Sequence, residues 1–319
     1  MGDKITGRTN TELKYISKVF SDKVLNSNYD FITKIDILRD VVRLNILYMI
    51  ANAGSGHIGT SFSSVEIMLA TLLTKLNPTL RENSVFFSSK GHDAPALYCI
   101  LIMTGIIKED KIHALRKIDG LPGHPDIKTP GIITNTGSLG MGISKAKGII
   151  LGNRLKKIKQ DVYVLLGDGE LQEGQIWESL LSASNFGLYE LKVIVDYNKL
   201  QSDTYVSETS NLGDLENKFI SFGFNVERCD GNNIESLQSA LKNIQNVIDK
   251  PNVIIADTIK GCGVDIFEPI NSKNIELYDF HSGAPDVKDY KIAVRQIIER
   301  LKSKCQRINL EFPEINNIP

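Results

Sequence analysis

Close cysteine pairs are missing from this 319-residue chain: Cys99, Cys229, Cys262 and Cys305 lie far apart, with no C-x-x-C spacing among them. That argues against a disulfide framework or a thiolate zinc site and leaves reduced thiols, as expected of a cytoplasmic protein. An excess of charge is missing too. Lys and Arg number 37 against 38 Asp and Glu, a net charge of -1, so nothing draws the chain generally to nucleic acid or an anionic membrane. The local run RLKKIK, residues 154–159, reads as the solvated end of a helix, where cations suit the dipole. No uninterrupted apolar run reaches membrane-spanning length, and no charged-then-apolar leader is expected at the start. Repeats and low-complexity linkers are also lacking, which favours one large α/β domain over several modules.

What is present is a series of apolar, β-branched runs: VFFSS (85–89), VYVLLG (162–167), KVIVDY (192–197), FNVERC (224–229) and NVIIADT (252–258). Each predicts a strand, and most are separated by enough chain for helices. The expected fold is therefore α/β, a mainly parallel sheet with helices on both faces. Residues 1–32 are expected to be a helical extension, and 33–319 the main domain, ending in a helix and a surface tail.

Gly54, Gly56 and Gly59 in AGSGHIGTS match the G-x-G-x-x-G spacing of a dinucleotide-binding turn. The flanks do not support that reading. Leu38, Val42, Ile46 and Met49 recur at helical steps before the glycines, where a strand is required, and no carboxylate lies about 20 residues beyond. The glycines instead predict the end of one buried helix and a tight passage to the next, with Ser63-x-x-Glu66 as a capping box. That passage offers His57 to a cleft.

The segment VYVLLGDGELQEGQIWESLLSASNFGLYELKVIVDYNKLQSD reads as strand, helix, strand. It places Asp168 and Asn198 at the carboxyl ends of two parallel strands, where open α/β sheets bind ligands. A carboxylate and an amide oxygen are hard ligands. With a backbone carbonyl and phosphate oxygens they could complete the octahedral shell of Mg²⁺.

GDG followed about thirty residues later by Asn resembles the thiamine diphosphate motif of transketolases, α-keto-acid dehydrogenases and decarboxylases. The wording of GDGELQEGQIWE and DYNKLQSD is similar to that of the N-terminal subunits of split, two-chain transketolases. GSGHIGTSFSSVEI, SSKGHDAPALY, GLPGHPDIKTPGIITNTGSLGMGISKAKG and FHSGAP resemble further motifs of that family and carry His57, His92, His124 and His281. Only His113 of the five histidines is left over. Ile58, Ser138, Met141 and Lys199 depart from the usual Pro, Pro, Gln and Gly; Ile58 and Met141, in loops that in the family approach cofactor or substrate, bear on sugar specificity more than on chemistry.

The resemblance implies a thiamine diphosphate-binding domain with Mg²⁺, replaceable by Ca²⁺ or Mn²⁺, held by Asp168, Asn198 and the carbonyl of Leu200. His92, Gly137, Leu139, Gly167, Gly169 and Glu170, with Asp168 and Asn198, would contact the cofactor. His57 and His281 would do acid–base work and His124 would hold the two-carbon fragment. The implied reaction transfers a ketol unit from a ketose phosphate to an aldose. A separate pyrimidine-domain chain, the C-terminal transketolase subunit, would complete the enzyme as a heterotetramer, with Glu173 facing that partner's glutamate. Two rivals remain: a deoxyxylulose-phosphate-synthase-like or specialised sugar-biosynthetic ketol or acyl transferase, which shares the GDG-to-Asn arrangement and the cofactor but changes the reaction, and a non-catalytic scaffold that retains the fold and binds a partner.

Overall fold

The computed structural model describes residues 11–269 and 277–318, so the first ten residues of the expected extension lie outside it. In chain order the elements begin with β1 (Leu13–Ile16), α1 (Lys18–Leu25), α2 (Phe31–Ala53), α3 (Ile58–Ser63), α4 (Val65–Leu72), β2 (Val85–Ser88) and α5 (Ala94–Met103). There follow α6 (Gly142–Leu155), β3 (Val162–Gly167), α7 (Gly174–Asn185), β4 (Leu191–Tyr197), β5 (Leu200–Gln201), β6 (Thr204–Tyr205) and α8 (Val206–Ser210). The rest comprises α9 (Leu215–Ser221), β7 (Asn225–Asp230), α10 (Ile234–Gln245), β8 (Asn252–Asp257), α11 (Val287–Arg307) and β9 (Ile315–Ile318). Contacts divide the chain into two compact units. Unit 1 takes Met1–Leu69, His92–Ile132 and Ile259–Pro319, and unit 2 takes Ala70–Gly91 and Ile133–Thr258. Their segments alternate along the chain, so no linker announces them in the sequence.

Unit 2 holds the sheet. All five expected strands form, in the order β2-β3-β4-β8-β7, and every neighbouring pair is parallel. β3 is buried at all six positions and β4 at its first six, so both faces are covered, which is why these runs read as continuously apolar rather than alternating. One face carries Val164, Leu166, Val193, Val195 and Ile255 into a core with Ile143, Ile150, Ile176, Leu180 and Phe219 from α6, α7 and α9. On the other face α10 supplies Gln245 to the Tyr163 hydroxyl and the Ile244 carbonyl to the Lys192 ammonium.

Unit 1 is built around α2. Asp30 caps its first turn by accepting from the Thr33 N–H at 2.9 Å, and Gly54 ends it at φ 66°, a conformation that costs other residues about 1–2 kcal/mol. α2 touches β1, α1, α3, α5 and α11 and is buried nearly all round, as a helix without a wet face must be. Its polar residues are therefore paired. Arg43, 2% exposed, donates to Glu66 at 2.8 Å and to the Cys262 carbonyl at 2.8 Å, while Asp40 meets Arg300 at 2.6 Å and Lys304 at 2.8 Å.

The terminal segments differ from expectation. Within 11–32 only Lys18–Leu25 and the start of α2 are helical. Leu13–Ile16 is a strand, and the tail, expected to run loosely over the surface, pairs with it antiparallel as β9. Tyr290 of α11 fixes that clasp by accepting from the Lys14 N–H at 2.7 Å.

Candidate functional site

In unit 2, β3 and β4 end side by side, with Gly167 opposite Asp196 in the parallel register. The next residues form the turn that the sequence singled out. Asp168 is 2% exposed. One of its oxygens accepts from the Gly169 N–H at 2.8 Å and the other from the Lys199 N–H. Asn198 Oδ1 accepts from the Leu200 N–H at 3.1 Å. The two strand ends are thus bound into one turn lined by a carboxylate, an amide and backbone. Lys199 achieves this at φ 69°, the left-handed conformation glycine adopts most easily, at the position where the resemblance leads one to expect glycine.

Glu170, expected to contact the cofactor, has its carboxyl engaged within the chain. It accepts from the Gly140 N–H at 2.9 Å, from the Gly167 N–H at 3.2 Å and from the Ser89 hydroxyl. Burial holds its pKa above the usual carboxylate range against these donors. It therefore ties the loop containing Gly137 and Leu139 to the GDG turn. In that loop Leu139 is 38% exposed, and Gly140 has φ 84° with its missing Cβ only 2.8 Å from Cβ of Glu173. Glu173 itself is exposed at the start of α7.

Two residues of this region escaped the sequence reading. Lys90 and Asp196, 2% and 0% exposed, form an ion pair at 2.5 Å, and Asp196 also accepts from the Thr258 hydroxyl. The side chain of Lys90 lies under Gly167, 3.0 Å from where a Cβ would stand, so the pair braces the turn from below. Its only signal was the motif SSKGH.

In unit 1, four of the five histidines converge. His57 lies 5.2 Å from His281, 5.3 Å from His92 and 6.3 Å from His124, ring centre to ring centre, and His92 is 6.0 Å from His281. Backbone bonds bring the turns of His57 and His281 together: the Gly59 N–H donates to the Phe280 carbonyl at 3.1 Å, and the Gly283 N–H to the Gly56 carbonyl at 2.9 Å. A helix, not a strand, enters the glycine turn, which rules out the dinucleotide fingerprint. Gly56 permits close approach, since a Cβ there would stand 2.5 Å from the side chain of Ile50. Glu66, read as half of a capping box, pairs with Arg43. Asp93 sits at the N-cap of α5 without a side-chain capping bond, with Pro95 in the first turn.

Burial pushes His57 down to about 4, with His281, Arg116, His124 and Lys260 adding to the effect. His124 is lowered by burial and then by Arg116, against Asp93. A neutral imidazole can accept a proton at one nitrogen. Nδ1 of His57 is buried and has no hydrogen-bond partner, so it suits a ligand hydroxyl. His113 stands apart, with Nδ1 at 2.6 Å from the Tyr48 hydroxyl.

A family described as "Transketolase, thiamine diphosphate binding domain" matches residues 36–293. The chain belongs to the transketolase family. It is 38% identical over 251 residues to an apulose-4-phosphate transketolase subunit of Actinobacillus succinogenes, covering 76% of this chain and 90% of that relative. It is 37% identical to a 6-deoxy-6-sulfo-D-fructose transketolase subunit of a Clostridium species, over 75% of this chain and again 90% of the relative. Human transketolase is 34% identical over 86% of this chain, which spans only 43% of that longer protein. Transketolase from Campylobacter jejuni superposes with a TM-score of 0.71 at 23% identity, over 85% of this chain and 42% of that one, which bears on the fold alone. This family member is thus of the N-terminal type found in split transketolases.

The donors in unit 2 fit the family's cofactor. Asp168, Asn198 and the Leu200 carbonyl offer only oxygen, the choice of a hard divalent cation. Among the described residues no group of three His, Cys, Asp or Glu side chains could hold a metal by itself, so a cation at this turn would have to complete its shell with backbone, water or ligand oxygens.

Proposed function

We propose that this chain is the diphosphate-binding half of a two-chain transketolase that transfers a two-carbon ketol unit from a ketose bearing a terminal anion to an aldose. The relatives are named for apulose 4-phosphate and for a sulfonated fructose, both anionic ketoses, which supports that donor class. The reading rests above all on the turn that joins Asp168 to the loop after Asn198 at two neighbouring strand ends.

In this reading Asp168, Asn198 and Leu200 hold Mg²⁺, and Gly137, Leu139, Gly167 and Gly169 lie along thiamine diphosphate. Glu170 keeps its loop in place. Bound thiamine diphosphate supplies the electron sink that allows a carbon–carbon bond beside a ketone to break. The rest falls to the chain's own groups. His57, neutral at physiological pH, accepts the proton of a donor hydroxyl at Nδ1. His281 and His92 flank it, and His124 orients the two-carbon fragment. Relatives named as subunits support a partner chain; in this reading that chain carries the pyrimidine half, the two form a cytoplasmic heterotetramer, and exposed Glu173 lies at their interface.

The test is calorimetry of thiamine diphosphate with Mg²⁺ into the enzyme assembled with its C-terminal partner chain, followed by a ketol-transfer assay. Cofactor uptake should weaken about a hundredfold in Asp168→Ala. Undiminished Mg²⁺-dependent affinity in that variant would sink the site assignment. Release of carbon dioxide from pyruvate would instead favour the decarboxylating rival.

A further inference from the structure

Arg116 has φ 56°, in the left-handed region that a side chain enters at a cost and that clusters at functional sites. The turn imposing it is tight: the Leu121 N–H donates to the Ala114 carbonyl at 2.8 Å, and the Arg116 N–H to the Leu121 carbonyl at 2.7 Å. Its guanidinium is thereby aimed at two turns that bear histidines. Nη1 donates to the Ser55 hydroxyl at 3.0 Å, two residues before His57. The other side of the fork lies against Gly123, the residue before His124, where an added Cβ would stand 3.1 Å from its central carbon. A Cβ at that glycine would require the guanidinium to give way by a few tenths of an ångström.

We propose that Arg116 is a positioning residue that ties the turn of His57 to the turn of His124 and holds its guanidinium charge beside both. This rests on the transketolase reading for its purpose but not for its test. After burial, the Arg116 charge works against protonation of both rings. Around His57 it acts beside His281, His124 and Lys260, with His92 also in ring contact. Around His124 it is opposed by Asp93. Removing the positive charge relieves part of the pressure against protonation and leaves burial in place. Substrate hydroxyls would then meet imidazoles that hold a proton over more of the acidic range.

The experiment is a proton NMR titration of the imidazole resonances in the full chain, without cofactor, for wild type, Arg116→Gln and Arg116→Lys. In Arg116→Gln the midpoints of His57 and His124 should rise by about half a pH unit. His113, which answers to burial and then to Lys117, Asp110 and Glu109, should not move. Arg116→Lys, which keeps the charge but loses the fork, should return both midpoints towards wild type. The proposal is overturned if Arg116→Gln leaves His57 and His124 where they were, or if His113 moves as far as they do. Cofactor binding, measured separately, decides the functional reading whichever way the titration falls.

Discussion

At the ends of β3 and β4 in unit 2 the carboxylates and the amide oxygen are engaged with their own chain, whereas the histidine group of unit 1 keeps a buried ring nitrogen waiting. Asp168 and Asn198 take backbone N–H groups, Glu170 takes three donors, and Lys90 is locked to Asp196. His57 Nδ1, by contrast, is buried with no partner. An unpaired buried polar atom costs about 1–3 kcal/mol. The strand-end groups named here therefore hold one another in place, while the histidine group leaves a ring nitrogen open. Replacing a strand-end group should disturb shape and cofactor affinity, and replacing one in the histidine group should disturb turnover.

The largest expected effect breaks the comparison most directly. His57→Ala should lower turnover by about 10²- to 10⁴-fold while leaving thiamine diphosphate affinity within about threefold of wild type, in contrast to Asp168→Ala. A parallel loss of affinity, measured by calorimetry on the assembled enzyme, would erase the division. Glu170→Ala should cost about 1–3 kcal/mol in urea unfolding, because it strands the buried Gly140 N–H; an unchanged midpoint would mean the carboxyl ties nothing. The smallest effect concerns pH. His57 titrates near 4 in the folded chain and near 6.5 when unfolded, so the unfolded chain takes up the proton first as pH falls. The stabilisation is complete above about 6.5 and is lost on the way to 4. Melting temperature should drop across that window, and several degrees of the drop should vanish in His57→Asn.

Most of the sheet was legible because its strands are apolar runs ended by turn residues, and all five fell where those runs lie. β1 and β9 were not legible. INNI is half polar, and its partner LKYI lies about three hundred residues away, beyond the reach of any local pattern. Asp168 and Asn198 could be placed because strand ends are visible in the sequence. Lys90 could not, because a lysine reads as a surface residue until its carboxylate is seen beneath the same turn. Arg116 was hidden for another reason. Its role depends on a backbone angle that no residue type announces. The division into two units was equally hidden, since each draws on separated stretches of chain.

The antiparallel pairing of Leu13–Ile16 with Ile315–Ile318 has a consequence for how the molecule opens. Closing so long a loop is entropically costly, so these strands should zip together late in folding, once α2 and α11 have docked. The two remote stretches should then fray as one unit, and their amides should exchange with deuterium together and ahead of those in α2.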